Sequence, residues 1–196
     1  MTSSGKSDSF EQLKKEFPDL DAHVIVDVYR NLQKDTEETR RKLTEIIGTT
    51  SEPVVLEETI GDLFACEPNV SMCHCVSEDL AMGKGIATEF KRRFKLVEVL
   101  KAQNAQVGQA AILQRECPNA FVYHLVTKKR YFHKPTIQSV QMSCEWMKQH
   151  TLQHNVRSIA MPRIGCGLDK LSWNVVRGML IQVFRDTGVK LVVYTL

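Results

Sequence analysis

From about residue 59 onward the chain alternates short apolar runs with amphipathic stretches, and that alternation restricts the possible folds more than any other feature. Runs at 59–64, 71–76, 109–114, 120–128, 157–164 and 191–196 read as strands. Most are continuously apolar rather than strictly alternating, the pattern of a sheet covered on both faces. The stretches 85–94, 97–104, 135–154 and 172–186 read as helices. Pro135 suits a first helical turn, where its missing N–H costs nothing, and Val176, Leu180 and Phe184 make an i, i+4 ridge. Strand and helix in this succession predict a three-layer α/β/α domain with a mixed sheet.

Upstream the pattern differs. Turn signals separate three short helical stretches at 9–16, 22–32 and 37–47, with Val24, Val28 and Leu32, then Leu43 and Ile47, at helical spacing. GTTSEP, 48–53, is small, polar and closed by proline, as a linker is. A chain of 196 residues accommodates one core of ordinary size plus such an appendage.

Composition excludes several classes. A formal charge of +3 is too small to argue for nucleic acid by electrostatics alone. No window approaches the roughly 18 to 20 apolar residues of a membrane helix, and MTSSGKSDSF has no secretory h-region. The expectation is a nuclear and cytoplasmic protein with no membrane partner, whose six cysteines are reduced. Cys73-His74-Cys75 lacks a second pair, and on a strand its central residue faces the other side. HTLQH, 150–154, lacks the glutamate of a zinc-protease helix. Neither a metal nor a cofactor is expected.

Chemistry concentrates where strands give way to helices. In MPRIGCGLDKLSW, 161–173, Gly165 and Gly167 allow backbone to approach a ligand and the turn can aim N–H groups at an anion. A plain strand-to-helix turn explains GCG equally well on its own. MGKGIATEF, 82–90, repeats the design after Ser77-Glu78-Asp79, so two such loops at one sheet end could hold the two sides of a diphosphate. VTKKR, 126–130, ends the longest strand run; neighbouring cations and desolvation lower an ammonium's pKa and free it as a nucleophile, although KKR also fits a solvated strand end.

GDLFA (61–65), HCVSED (74–79), MGKGIA (82–87), TKKR (127–130), HKPT (133–136), MPRIGCGLD (161–169) and the terminal VYTL (193–196) together resemble macrodomains of the terminal ADP-ribose protein glycohydrolase type, also known as O-acyl-ADP-ribose deacylases. The resemblance runs in order from about residue 59 to the end. It implies a cleft that binds ADP-ribose and a hydrolase that removes it from acidic side chains of modified proteins and from related esters. Carried over by motif, adenine contact falls on Asp62 and the distal ribose on Ser77. The phosphate loops fall on Gly83 to Ile86, with Gly85 among them, and on Gly165, Cys166, Gly167 and Leu168, with Leu63, Met82, Thr127, Pro162, Ile164 and Leu196 completing the binding set. The catalytic lysine falls on Lys128 and its partner aspartate on Asp169. Lys84 stands where the family has a small residue. A non-catalytic ADP-ribose reader and a nucleic-acid binder using Lys91-Arg92-Arg93 and Lys128 to Arg130 are the rival readings.

Residues 16–43 resemble a CUE domain, a three-helix ubiquitin-binding fold, at Phe17 and Pro18. Glu16 and Thr44 depart from its apolar contact points. The resemblance implies ubiquitin contacts at Phe17, Pro18 and Leu43; a helical cap or another partner-binding arm fits the same stretch. The expected organisation is a CUE-like module at 8–48, a linker at 49–57 and a macrodomain at 58–196. The expected partners are ADP-ribose, ADP-ribosylated proteins and ubiquitin, with nucleic acid only as a modified substrate, and the expected state is a monomer.

Overall fold

The computed structural model describes residues 5–18, 22–32, 35–50 and 54–195, so Leu196 lies outside the described residues. The chain divides into two compact units, Met1–Glu52 and Pro53–Leu196.

The first unit contains α1 (Gly5–Glu16), α2 (Ala22–Asn31) and α3 (Thr36–Thr50). Asp35 accepts the Glu38 N–H at 2.9 Å and so caps the start of α3. Leu13, Phe17, Ile25, Tyr29 and Leu43 form its core. Two of the expected ubiquitin contacts are corrected here. Phe17 and Leu43 are buried in that core, while Pro18 is exposed. Their apolar character serves packing, each stabilising the unit by roughly 1.5 to 3 kcal/mol on burial. Helix α3 continues to Thr50, into the stretch expected to be linker.

The second unit is built on one six-stranded sheet. Its strands are β1 (Leu56–Ile60), β2 (Ser71–Ser77), β3 (Ala110–Gln114), β4 (Phe121–Lys128), β5 (Ser158–Pro162) and β6 (Lys190–Thr195). Their order is β1-β6-β5-β2-β4-β3, and every pairing is parallel except β3 with β4. Four helices accompany them: α4 (Ile86–Phe94), α5 (Val97–Ala102), α6 (Ile137–Gln153) and α7 (Trp173–Val183). Side chains alternate along β4, so Tyr123 and Leu125 join the core that includes Val140 of α6 and Leu180 of α7, while Val122 and Val126 join Phe90 of α4 and Leu100 of α5. Both faces are covered, which explains the unbroken apolar runs.

Two expected boundaries move. The strand expected at 59–64 is instead β1 at Leu56–Ile60, followed by a turn of 3-10 helix at Leu63–Ala65. Asp62 accepts the Phe64 N–H at 3.0 Å, drawing a donor out of any ladder. Pro135 precedes α6 rather than entering its first turn: Thr136 is the N-cap, and a reciprocal capping box links Thr136 and Ser139 at 3.1 Å in each direction.

His74 and His124 face each other on paired strands, with His74 Nε2 2.7 Å from His124 Nδ1. Phe90 stacks on His74 at 3.8 Å between centroids. Cys73 points into the opposite core. The alternation therefore turns His74 to the face opposite Cys73 and Cys75, as a strand must.

Candidate active site

The parallel strands end along one edge of the sheet, β2 at Ser77, β4 at Lys128, β5 at Pro162 and β6 at Thr195. β2 and β5 pair only at Ser71 with Ile159 and Met72 with Ala160. Beyond those pairs the two strands lack a common ladder, so their carboxyl ends border an open crevice. Chain connections leave β2 towards β4 on one side and return from β4 to β5 on the other, which makes this gap the switch point where ligands of open α/β sheets bind.

The two glycine loops border the same gap. A Cβ built on Gly85 would lie 3.4 Å from Leu168 Cδ1, which places residue 85 of one loop against residue 168 of the other. Gly85 and Gly165 have φ of +62° and +70°, conformations that favour glycine, and a Cβ at Gly165 would meet Leu171 Cδ1 at 2.9 Å. Gly83 and Gly167 differ. Neither has positive φ, and a Cβ at either would meet nothing within 4 Å. Folding gives no reason for glycine at those two positions, whereas a ligand lying against bare backbone does.

Lys128 reaches this crevice through a slip in strand register. Val76 pairs with Val126 but Ser77 pairs with Lys128, leaving Thr127 as the extra residue. Thr127 turns inward and donates its hydroxyl to the Val76 carbonyl at 3.4 Å. Such bulges re-aim side chains beside active sites. The Lys128 ammonium then lies 2.6 Å from Asp169 Oδ1, and the two side chains are only 14% and 13% exposed. Water is largely excluded from the contact, unlike the other ion pairs on this domain, where at least one side chain is much more exposed. Burial first, then the Asp169 carboxylate, pushes the nearby Cys75 thiol up to about 12. Cys75 is therefore a neutral thiol and no competing nucleophile.

Ser77 donates its hydroxyl to Asp79 Oδ1, and Asp79 also accepts the N–H groups of Ala81 at 3.3 Å and Tyr131 at 3.1 Å. Burial works against charge on Asp79, but these bonds outweigh it and hold its carboxyl below the ordinary range. Asp79 thus ties the loop after β2 to the loop after β4. Lys134 donates to the Leu168 carbonyl at 2.6 Å and ties that second loop to the segment bearing Asp169.

The segment 163–172 is clamped from outside by Glu58 of β1. One Glu58 oxygen accepts from Arg163 at 2.9 Å and from Trp173 Nε1 at 3.1 Å, and the other lies 3.3 Å from Arg177. Hydrogen bonds from Arg163 and Trp173 hold the Glu58 carboxyl below its usual range. Arg163 and Trp173 stand at the two ends of the loop, so a single carboxylate fixes both.

The remaining residues expected in the site divide by burial. Leu63, Met82 and Ile164 are core side chains and could face a ligand only through backbone. Asp62 is exposed, with one oxygen capping the short helix and the other 4.0 Å from Arg93. Ile86, Pro162 and Cys166 are partly buried at the loop ends, and Leu168 is exposed. Glu58 and the anchoring role of Lys134 escaped sequence reasoning, whereas Asp79 is legible there with Ser77 and Glu78 as a polar group just before the second glycine loop. The Glu58 partners lie 105 and 115 residues away, and no local spacing signals such a contact.

A family model described as "Macro domain" matches residues 73–180. The ADP-ribose glycohydrolase OARD1 of Homo sapiens is 48% identical over 136 residues, covering 69% of this chain and 88% of that protein. The macrodomain of Thermus aquaticus DarG superposes with a TM-score of 0.64 at 25% identity, covering 72% of this chain and 99% of that one. The macrodomain of Mycobacterium tuberculosis DarG gives a TM-score of 0.66 at 21% identity over 73% of this chain and 99% of its own. The crevice at the strand ends, the paired glycine loops and these matches lead to one conclusion: this chain belongs to the macrodomain family.

Proposed function

We propose that the protein is an ADP-ribose glycohydrolase that releases ADP-ribose from acidic side chains of modified proteins and from related O-acyl esters. The name carried by the human relative, ADP-ribose glycohydrolase, supports the class of reaction. The observation that carries the finer reading is the shielded contact of 2.6 Å between Lys128 and Asp169 at the mouth of a crevice flanked by two glycine loops. A protein that only held ADP-ribose would need the loops and Asp62, but not this pair.

The chemistry follows from the arrangement. In a glutamyl or aspartyl ester of ribose the leaving group is a carboxylate, which departs without much acid assistance. Bringing a nucleophile to the anomeric carbon is the harder task. Asp169 takes a proton from the Lys128 ammonium along their hydrogen bond, and the freed amine attacks C1 of the distal ribose. A C–N bond forms as the C–O bond to the acyl group breaks, and the carboxylate leaves with the bonding pair. The adduct nitrogen gives a proton to the departing carboxylate, and the proton held by Asp169 passes to the ring oxygen as the sugar opens, which leaves an iminium that water attacks and an ionised Asp169. Asp169 accepts a proton from that water, the C–N bond breaks, and Lys128 recovers its proton as ADP-ribose departs. The glycine loops hold the diphosphate and Ser77, fixed by Asp79, borders the distal ribose.

The test is turnover by the purified protein of a glutamate-linked ADP-ribosyl protein. ADP-ribose should be released, and Lys128→Ala should lower the rate by at least about a thousandfold while binding free ADP-ribose measurably. Full activity in Lys128→Ala sinks the lysine mechanism. Absent turnover with saturable ADP-ribose binding moves the assignment to a reader.

A further inference from the structure

We infer that residues 129–134, the loop that follows Lys128, form a docking surface for the acceptor side of the substrate, an acidic protein segment bearing the ADP-ribosylated side chain. The inference rests on the glycohydrolase reading and says what that activity selects.

Three observations converge on this loop. Tyr131 and Phe132 are 63% and 66% exposed, although the chain has two apolar cores in this unit alone to receive such rings. Their centroids are 5.2 Å apart at 88°, and Phe132 meets His133 at 4.7 Å and 82°, so the rings form a joined surface rather than scattered exposed groups. The loop is also held in place. The Tyr131 N–H is anchored to Asp79, the His133 N–H closes a turn onto the Arg130 carbonyl at 3.0 Å, and Lys134 is anchored to Leu168. A surface fixed before binding loses little entropy when a partner arrives.

Position decides what that partner is. The anchors lie on Asp79, two residues past Ser77, and on Leu168, which precedes Asp169, so the loop that carries the rings is tied to segments next to the Lys128–Asp169 pair. ADP-ribose occupies the glycine loops on the inner side of that pair. The portion of substrate left outside is the acceptor. Lys129, Arg130 and Lys134 are exposed around the rings and give the loop a cationic rim, which complements carboxylates flanking a modified glutamate or aspartate. Tyrosine and phenylalanine supply contact area at small entropic cost.

Single-stranded nucleic acid also stacks on rings beside cations. The charge distribution argues against it here. In the other basic run Arg92 and Arg93 share the Glu89 carboxylate, so part of its charge is already balanced and offers less to a phosphate backbone.

The experiment compares the full chain with its Tyr131→Ser, Phe132→Ser double variant, which keeps the backbone N–H bonded to Asp79. Both are assayed on O-acetyl-ADP-ribose, on a glutamate-ADP-ribosylated acidic peptide, on a neutral peptide modified in the same way and on an ADP-ribosylated oligonucleotide. The expected result is a fall of about tenfold or more in kcat/KM on the acidic peptide, carried mainly by KM, with O-acetyl-ADP-ribose unchanged within about twofold. Unchanged peptide turnover, an equal fall on the small ester, an equal fall on the neutral peptide, or a fall confined to the oligonucleotide each overturns the inference. If the unmodified chain cleaves none of these substrates, the glycohydrolase reading fails separately. Binding then decides: tighter binding of the modified acidic peptide than of free ADP-ribose, lost in the double variant, supports the docking surface, and equal binding overturns it.

Discussion

Four glycines border the crevice for two different physical reasons. Gly85 and Gly165 hold left-handed backbone, and Gly165 is also packed against Leu171, so their side-chain hydrogens belong to the fold. Gly83 and Gly167 have ordinary φ and open space, so alanine fits at either without strain. Replacing Gly165 by alanine should destabilise the protein by about 1 to 3 kcal/mol. Gly167→Ala should leave thermal unfolding within about 0.5 kcal/mol of the parent yet weaken ADP-ribose by at least about tenfold, because the new methyl occupies the path of the diphosphate. Thermal melts and calorimetric titration of both variants check the contrast. Undiminished ADP-ribose affinity in Gly167→Ala would remove that glycine from the proposed cradle.

At the scale of elements, what could be read from the sequence and what could not follow a physical division. Periodicity and turn residues are local, and they give the strand and helix succession, the mixed three-layer domain and the loops at the strand ends. The first strand was displaced because GDLFA is apolar enough to resemble a strand while the Asp62 side chain diverts the Phe64 N–H into a 3-10 turn. Pro135 lies just outside its helix because Thr136 is the better cap. Lys128 and Asp169, 41 residues apart, were expected from resemblance to a family, since no spacing rule pairs them. The clamp of Glu58 on Arg163 and Trp173 had no signal of either kind. Phe17 and Leu43 show the opposite failure: apolar residues at a turn and on a helix read as contacts for a partner, but a unit of three short helices needs them for its own core.

The described residues form three apolar cores, one in the first unit and one on each face of the sheet in the second, and the sheet has an imidazole pair at its centre. Burial pushes His124 down to about 4, and burial together with His124 lowers His74 further below its ordinary value. Both rings are therefore neutral in the folded protein at pH 7. In the unfolded chain each takes up a proton near pH 6.5. Between about pH 6.5 and about pH 4 the unfolded state binds more protons, so stability present above pH 6.5 is progressively lost as the pH falls through that window. Thermal unfolding followed from pH 7.5 to 5 should show a falling Tm, and the slope should be shallower in a His74→Leu, His124→Leu variant. An equal slope in the two proteins would place the acid sensitivity elsewhere.

The central claim is that Lys128 and Asp169 act in succession, lysine as nucleophile and aspartate as the group that manages protons on attack and release. Intact-protein mass spectrometry of Asp169→Ala incubated with a glutamate-ADP-ribosylated substrate tests it most directly. Without the carboxylate, resolution by water should slow more than attack, which the substrate's own departing carboxylate can assist by taking the lysine proton. The account predicts a mass increase equal to ADP-ribose less one water, mapped by peptide analysis to Lys128 and absent from a Lys128→Ala, Asp169→Ala double variant. Turnover that persists in Lys128→Ala, or an adduct mapped to any residue other than Lys128, would contradict it.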